Sequence, residues 1–197
     1  DFVGVTVTPT AGLTTTEGGG TATFTVVLNT LPVGNVSIGL SSSDLSEGTV
    51  SPASLTFGIL DWSTPRTVTV TGVNAAIPDG DVAYSVVTAP ASALAPFYNG
   101  LNPADVAVTN TDNDAAGVTV TPTSGLATTE AGGTATFTVV LDSQPTADVT
   151  VGLSSSDLTE GSVAPAAVTF TGATWNVPQT VTLTGADDPL PDGDVAY

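Results

Sequence analysis

The sequence predicts an all-β fold of tandem β-sandwiches, and three observations support that prediction. Residues 4–84 and 117–197 align at a constant offset of 113 residues, and 52 of the 81 aligned positions are identical. An offset of this length matches a whole sandwich domain rather than the unit of a solenoid. Short runs alternate between apolar and polar residues and are interrupted by Pro and Gly. No apolar pattern at helical spacing reaches the length of a helix.

The repeat divides the chain into four parts. They are the end of a preceding repeat (1–3), the first repeat (4–114), a short linker (115–116) and the second repeat (117–197). The second repeat has no counterpart of residues 85–114. We therefore expect a longer array in which the second sandwich is completed in sequence or, in a homopolymer, by strand complementation from another chain.

The first three elements are predicted from alternation and from the breaks between them. Val5–Thr8 alternates Val with Thr, and Leu13–Thr16 continues it after a break that contains Gly. Thr21–Asn29 then alternates most cleanly, with Ala, Phe, Val and Leu on one face and mostly Thr on the other. One face of this strand is therefore expected in the core.

Four further elements complete the first repeat as far as residue 88. Asn35–Ser41 directs every second apolar residue inward, and Thr49–Phe57 is broken at Pro52, which cannot donate a ladder hydrogen bond. Arg66–Thr71 and Val82–Thr88 follow with β-branched residues at alternate positions.

The last strand of the repeat is predicted over Ala104–Asn110, where Val106 and Val108 alternate with Ala107 and Thr109. Seven main strands in about 110 residues indicate an immunoglobulin-like sandwich. The Cys pair and the core Trp of true immunoglobulin domains are missing, so only the architecture is implied. The prediction is thus two seven-stranded sandwiches, the second incomplete.

Composition excludes several classes of function. The chain has one basic residue, Arg66, against 19 acids, for a net charge of −18, and it has no His and no Cys. Such a charge repels nucleic acids and anionic membrane surfaces and attracts cations. Without His or Cys the commonest general base, thiol nucleophile and zinc ligands are missing, so we expect no enzyme.

The acids are concentrated in the connections that meet at one end of each predicted sandwich. In the first repeat seven of nine acids lie there: Glu17, Asp44, Glu47, Asp79, Asp81, Asp112 and Asp114. In the second repeat the corresponding acids are Glu130, Asp157, Glu160, Asp187, Asp188, Asp192 and Asp194. Converging carboxylates repel unless they bind protons, water or a cation, and oxygen ligands in irregular loops suit Ca²⁺. The alternative is that these acids only stabilise turns.

Three segments resemble Calx-beta domains. Thr16-Glu17-Gly-Gly-Gly-Thr-Ala-Thr-Phe-Thr-Val-Val-Leu28 is similar to the opening motif of that family. Ala186-Asp187-Asp188 through Pro191-Asp192-Gly193-Asp194 is similar to its acidic loop, and Asp112-Asn113-Asp114 is similar to its closing acidic strand end. The resemblance implies an immunoglobulin-like sandwich that binds Ca²⁺ at the pole facing the next domain, in proteins that include long bacterial surface proteins.

The resemblance also implies a set of Ca²⁺ ligands. They are Glu17, Asp79, Asp81, Asp112 and Asp114 in the first repeat and Glu130, Asp187, Asp188, Asp192 and Asp194 in the second, with Asp44 and Asp157 as additions. Asn74-Ala75 replaces the Asp187-Asp188 pair in the first repeat, which predicts a weaker or missing ion there. Because the linker between the repeats is two residues long, an ion at this pole is expected to stiffen the connection.

These observations predict a structural, Ca²⁺-binding spacer of a secreted or cell-surface bacterial adhesin or extracellular filament, whose partners are neighbouring repeats. The alternative is a carbohydrate- or protein-binding module, for which Trp62 and the segment Phe97-Tyr98-Asn99-Gly100 are the candidate contacts. Trp62 and its counterpart Trp175 are expected to close the core instead, as a Trp before Pro at a sandwich mouth commonly does. A regulatory Ca²⁺ sensor is a third hypothesis, disfavoured because close copies of one domain in tandem are unexpected in a sensor.

Overall fold

A computed structural model describes residues 2–94, 96–187 and 193–197. Within these ranges the chain forms sixteen β-strands and no helix, which confirms the predicted all-β class. Likewise, no helix in these ranges has the length and apolar character needed to cross a membrane. The chain separates into two compact units: residues up to Ala75 with Asp79–Asn113, and Ala76–Pro78 with the residues from Asp114 onward.

The first unit is a two-layer sandwich of ten strands. They are β1 (Val5–Thr8), β2 (Leu13–Thr16), β3 (Thr21–Leu28), β4 (Val36–Ser42), β5 (Gly48–Ser51), β6 (Ser54–Phe57), β7 (Arg66–Gly72), β8 (Val82–Thr88), β9 (Ser92–Ala93) and β10 (Val106–Thr111). One sheet has the order β1-β3-β7-β5, and the other has the order β2-β10-β8-β4-β6, with β9 paired to β4. The apolar side chains that alternate along the strands fill the space between the two sheets. Phe24, Ile38, Phe57 and Val86, for example, are at most 1% exposed.

The strand predicted over Thr49–Phe57 is divided between the two sheets. β5 pairs with β7 in one sheet, and β6 pairs with β4 in the other. The chain therefore crosses from sheet to sheet at Pro52, the residue that interrupts hydrogen bonding in either ladder.

β2 and β10 form the one parallel pair of the described ladders. Thr15 lies opposite Asn110 and Thr16 lies opposite Thr111. Both strands run in the same direction, so both end at the same pole of the unit. This pairing positions the candidate site.

The second unit repeats part of this arrangement. Its strands are β11 (Val118–Thr121), β12 (Thr134–Leu141), β13 (Val149–Gly152), β14 (Gly161–Ala164), β15 (Ala167–Phe170) and β16 (Gln179–Gly185). They form a sheet of order β11-β12-β16-β14 and a two-stranded sheet of β13 and β15. Residues 126–129, the counterpart of β2, belong to no strand. The buried core is correspondingly smaller, and consists of Val139, Leu141, Val168, Phe170 and Val181.

Candidate metal centre

The parallel pairing of β2 and β10 brings two acids together. Glu17 and Asp112 are the residues that directly follow Thr16 and Thr111, the last pair of the ladder. The backbone N–H of Glu17 donates to the carbonyl of Thr111 at 3.1 Å, which extends the pairing by one step. Carboxylate oxygens of Glu17, Asp112 and Asp114 lie within 4.8 Å of one another. Three ligands predicted from the sequence are therefore close enough to share one cation.

Glu17 is the buried member of this group, with 3% of its surface exposed. Its Oε1 accepts from the N–H of Ala75 and its Oε2 from the N–H of Asn113, both at 3.2 Å. Burial raises the pKa of Glu17, and a hydrogen bond with Asp112 and the charge of Asp112 raise it further, against the two backbone bonds. The charged form of Glu17 is thus held in place but poorly solvated, an arrangement that favours a proton or a cation.

Asp112 is tied to the turn that precedes β8. Its Oδ2 accepts from the N–H of Gly80 at 2.7 Å, and its own N–H donates to Oδ1 of Asp81 at 3.1 Å. Gly80 has a φ of +78°, a conformation that favours glycine. The predicted ligands Asp79 and Asp81 are both exposed on this turn, and Asp81 is the one that contacts the acidic group, through the N–H of Asp112.

A side-chain cation near this group would remove the need for a metal, but the sequence offers only one. Arg66 is the single Lys or Arg of the chain, and it forms an ion pair with Asp61. Asp61 lies in the connection between β6 and β7, away from the ends of β2 and β10. The one basic side chain of the sequence is therefore engaged with Asp61 and not with the candidate site.

A buried polar network lies beside the acids and includes Thr15 and Asn110, each two residues before an acid of the group. The sequence analysis did not predict this network. Asn110 is 1% exposed; its Nδ2 donates to Oε2 of Glu47 at 3.3 Å and to the carbonyl of Val73 at 3.0 Å. Its Oδ1 accepts from Oγ1 of Thr15 at 2.9 Å. The available signal was that Asn110 continues the inward alternation of Val106 and Val108, so a polar residue stands at a core position. This network holds β10 against β2 beside the site.

Asp44 and Asp157 lie in turns of their own. Oδ1 of Asp44 accepts from the N–H and the Oγ of Ser46 at 2.9 and 2.5 Å, and Asp157 makes the same two bonds with Thr159. The hydrogen bond from the side-chain hydroxyl, and after it the bond from the backbone N–H, lowers the pKa of both aspartates. Neither residue is part of the acidic group.

The second repeat presents its acids differently. Glu130, Asp187 and Asp194 are exposed, and Asp188 and Asp192 lie outside the described residues. Across the part of the chain that the structure describes, Glu17, Asp112 and Asp114 are the one group of three such ligands within 4.8 Å. Glu17 differs in that its N–H bonds Thr111, the last residue of β10, whereas residues 126–129 pair with no strand in the described part of the second unit.

The aromatic candidates for a contact surface are mostly inside the fold. Trp62 packs against the core of the first unit and Trp175 against that of the second, as predicted. Tyr98 is 1% exposed, and its hydroxyl donates to the carbonyl of Thr30 at 2.8 Å. Phe97 is the exposed member, at 73%.

No protein-family model matches the chain, and no curated protein matches it. Among solved structures, the chain is similar to the apo-form CBD1 domain of Calx at 15% identity and a TM-score of 0.44, over 58% of this chain and 100% of that one. It is similar to the calcium binding domain CBD12 of CALX1.1 at 14% identity and a TM-score of 0.42, over 93% and 76% of the two chains. The E. coli chaperone DraB aligns at 8% identity and a TM-score of 0.41, over 96% and 89%.

Proposed function

We propose that the chain is a structural Ca²⁺-binding repeat protein, a rigid spacer of a secreted or cell-surface bacterial adhesin or extracellular filament. One observation carries the proposal: a buried glutamate and two aspartates converge within 4.8 Å at the end of a parallel strand pair. The only basic side chain of the sequence is engaged with Asp61. Carboxylate oxygens brought together in this way are ligands of the kind that a divalent cation binds.

The donor set fits Ca²⁺ better than other common metals. All donors are carboxylate oxygens of residues that follow the ends of strands, and the sequence contains no His or Cys to provide nitrogen or sulfur. Ca²⁺ accepts roughly 6–8 oxygen ligands in flexible geometry, with water completing the shell. Glu17, Asp112 and Asp114 would hold the ion, while Asp81 lies outside this group and accepts from the backbone N–H of Asp112.

Support for a mechanical role comes from the elements that the ion would join. Glu17 follows β2, Asp112 follows β10, and Asp81 precedes β8. An ion bound to Glu17 and Asp112 would crosslink the two strand ends, and the bonds of Asp112 with Gly80 and Asp81 tie the turn before β8 to them. Together with repeats that are identical at 52 of 81 aligned positions and a two-residue linker in the sequence, this favours stiffness as the function, with no catalytic role.

Ca²⁺ is expected to raise the melting temperature of the chain relative to a chelator. A ligand present at about 100 times its Kd stabilises the folded state by about 2.7 kcal/mol, which corresponds to a rise of about 10 °C or more for a domain of this size. Calorimetry of the first unit's transition, with Ca²⁺ and with EDTA, measures this shift. Glu17→Gln should abolish most of the shift, because it removes the buried carboxylate.

The matched control is Glu130→Gln, the same change at the corresponding and exposed position of the second repeat. This variant should keep the Ca²⁺ shift of the first unit's transition. Equal melting curves of the unmodified chain in Ca²⁺ and in EDTA would refute the proposed function.

The raised pKa of Glu17 predicts a pH dependence. A raised pKa means that protonation favours the folded state, so in EDTA the chain should lose stability relative to Glu17→Gln as the pH rises through the titration of Glu17. With Ca²⁺ present, the proton competes with the ion, and the Ca²⁺ shift should shrink on acidification at a higher pH than for an ordinary glutamate. Urea unfolding at a series of pH values, with and without Ca²⁺, measures both trends; parallel curves for the two proteins in EDTA would contradict the prediction.

A further inference from the structure

The connection between β9 and β10 contains the one Asn-Gly pair of the sequence, Asn99-Gly100. Both residues are exposed. The backbone nitrogen that follows an asparagine can attack the carbon of the side-chain amide, and Gly hinders this attack least because it has no Cβ. The pair therefore contains the reacting groups of a self-modification, and the surrounding contacts determine whether these groups can meet.

A tight turn of residues 98–101, here called the Asn99 turn, holds this pair. The N–H of Leu101 donates to the carbonyl of Tyr98 at 3.1 Å, which closes the turn. Gly100 has a φ of +79°, and among the described residues only Gly has a positive φ, so that of Asn99 is negative. This combination defines a type II turn, whose second residue has a ψ of about +120°. That ψ directs the nitrogen of Gly100 away from the side chain of Asn99.

Both reacting groups of the Asn99 turn are also engaged in hydrogen bonds. The N–H of Gly100 donates to the carbonyl of Ala91 at 2.8 Å. Oδ1 of Asn99 accepts from the N–H of Ala93 at 3.3 Å. The nitrogen of Gly100 can therefore reach the side chain of Asn99 only after the turn has opened and these bonds have broken.

Tyr98 anchors the Asn99 turn to the rest of the first unit. Its side chain is 1% exposed. Its hydroxyl donates to the carbonyl of Thr30 at 2.8 Å and accepts from the N–H of Thr30 at 3.1 Å. Thr30 lies in the connection between β3 and β4. Opening of the turn therefore competes with the bonds between Tyr98 and Thr30.

We propose that Asn99 is a site of spontaneous deamidation in the native protein, reached when the Asn99 turn opens. The nitrogen of Gly100 bonds Cγ of Asn99, the Cγ–Nδ2 bond breaks, and the proton of Gly100 leaves with the amide nitrogen as ammonia. Water then opens the resulting cyclic imide at one of its two carbonyls. One product is aspartate. The other is isoaspartate, in which the main chain runs through Cβ and is one carbon longer.

Formation of isoaspartate makes the opening of the turn permanent. An added main-chain carbon between Tyr98 and Gly100 is incompatible with the bonds from Leu101 to Tyr98 and from Gly100 to Ala91. The modification is separate from the proposed Ca²⁺ binding, because Thr30 and Glu17 lie beyond opposite ends of β3. None of the acids of the candidate metal centre takes part in it.

Incubation of the 197-residue chain in EDTA tests the proposal, followed by peptide mapping that separates Asn, Asp and isoaspartate at position 99. In the native chain isoaspartate should form about tenfold or more slowly than in urea, because the turn reacts only while it is open. Both rates should rise with pH, since the attacking nitrogen must lose its proton. Asn35, which is exposed and precedes Val36, is the internal control and should react much more slowly in urea than Asn99.

A Tyr98→Phe variant tests the role of the anchor. It removes the hydroxyl that bonds Thr30, and it should raise the native rate by about threefold to tenfold, the effect of one or two hydrogen bonds on the opening equilibrium. The matched control is Tyr84→Phe, which removes a hydroxyl that contacts Thr15 in the same unit and should leave the native rate unchanged. In urea all three proteins should react equally. In the converted chain, hydrogen exchange should show lost protection of the Thr30 amide.

Three results would overturn the proposal. One is a native chain that stays unmodified at Asn99 while the chain in urea converts completely, which would mean that the turn does not open. Another is equal rates in the native chain and in urea, which would mean that the turn does not protect Asn99. The third is the same native rate for Tyr98→Phe and Tyr84→Phe, which would mean that the reaction follows general unfolding rather than opening of this turn.

Discussion

Asn110→Asp is expected to lower the free energy of unfolding of the first unit by about 3–5 kcal/mol at neutral pH, the cost of a buried charge without a partner. The amide Nδ2 of Asn110 donates to Glu47, which is 5% exposed, and the substitution puts a second carboxylate in its place. Two buried carboxylates in contact repel, and the carbonyl of Val73 loses its donor. The loss should diminish on acidification, because protonation of either acid restores a donor.

Urea unfolding in a Trp175→Phe background measures this loss, since Trp62 then reports the first unit alone. The matched control is Asn35→Asp, which makes the same change at an exposed position where the second repeat already carries Asp148. Its effect should be within about 0.5 kcal/mol. Equal stability of the Asn110→Asp and Asn35→Asp variants at neutral pH would show that the network does not hold β10.

Much of the fold could be predicted because alternation encodes which residues face the core. The predicted strand Thr21–Asn29 is β3 with one residue fewer, and Val5–Thr8 and Leu13–Thr16 appear with the predicted bounds. The breaks were equally informative, since Pro52 marks the crossing between sheets. Alternation says nothing of which strand lies beside which, so the division of β5 and β6 between sheets did not follow from the sequence.

The sequence predicted at which end of the sandwich the candidate site lies, but not which of the acids there come together. Glu17 and Asp112 are separated by 95 positions, and their contact depends on the parallel register of Thr16 with Thr111. Register is set by long-range packing, in which the buried Asn110 network takes part. Local sequence also could not separate Asp44, whose bonds are to its own turn, from Asp112, whose side chain bonds the neighbouring turn.

Gly72→Ala is expected to destabilise the first unit by about 3 kcal/mol, at the upper end of the usual cost of overpacking. A Cβ at this position would lie 2.2 Å from the carbonyl oxygen of Thr16 and 2.5 Å from Oδ1 of Asn110. Neither atom can move freely, because Thr16 pairs with β10 and Asn110 is held by three partners. Since Thr16 precedes Glu17, the Ca²⁺ shift of the melting temperature should fall as well. Gly34→Ala, where a Cβ meets no atom within 4 Å, is the control and should be neutral or slightly stabilising.

The second repeat offers a sharper comparison for the same change. A Cβ at Gly185 would also lie 2.2 Å from a carbonyl oxygen, that of Thr129. The Thr129 carbonyl accepts from the N–H groups of Gly132 and Gly133, as the Thr16 carbonyl does from Gly19 and Gly20. Residues 126–129 pair with no strand in the described structure, however, so this carbonyl is held by fewer contacts than that of Thr16. Gly185→Ala should therefore destabilise the second unit by less than half of what Gly72→Ala costs the first, measured by Trp175 fluorescence in a Trp62→Phe background. Equal costs would mean that the close carbonyl alone decides the effect. Unequal costs would show that β10 makes the surroundings of Gly72 rigid, through its pairing with β2 and through Asn110, which a Cβ at Gly72 also meets.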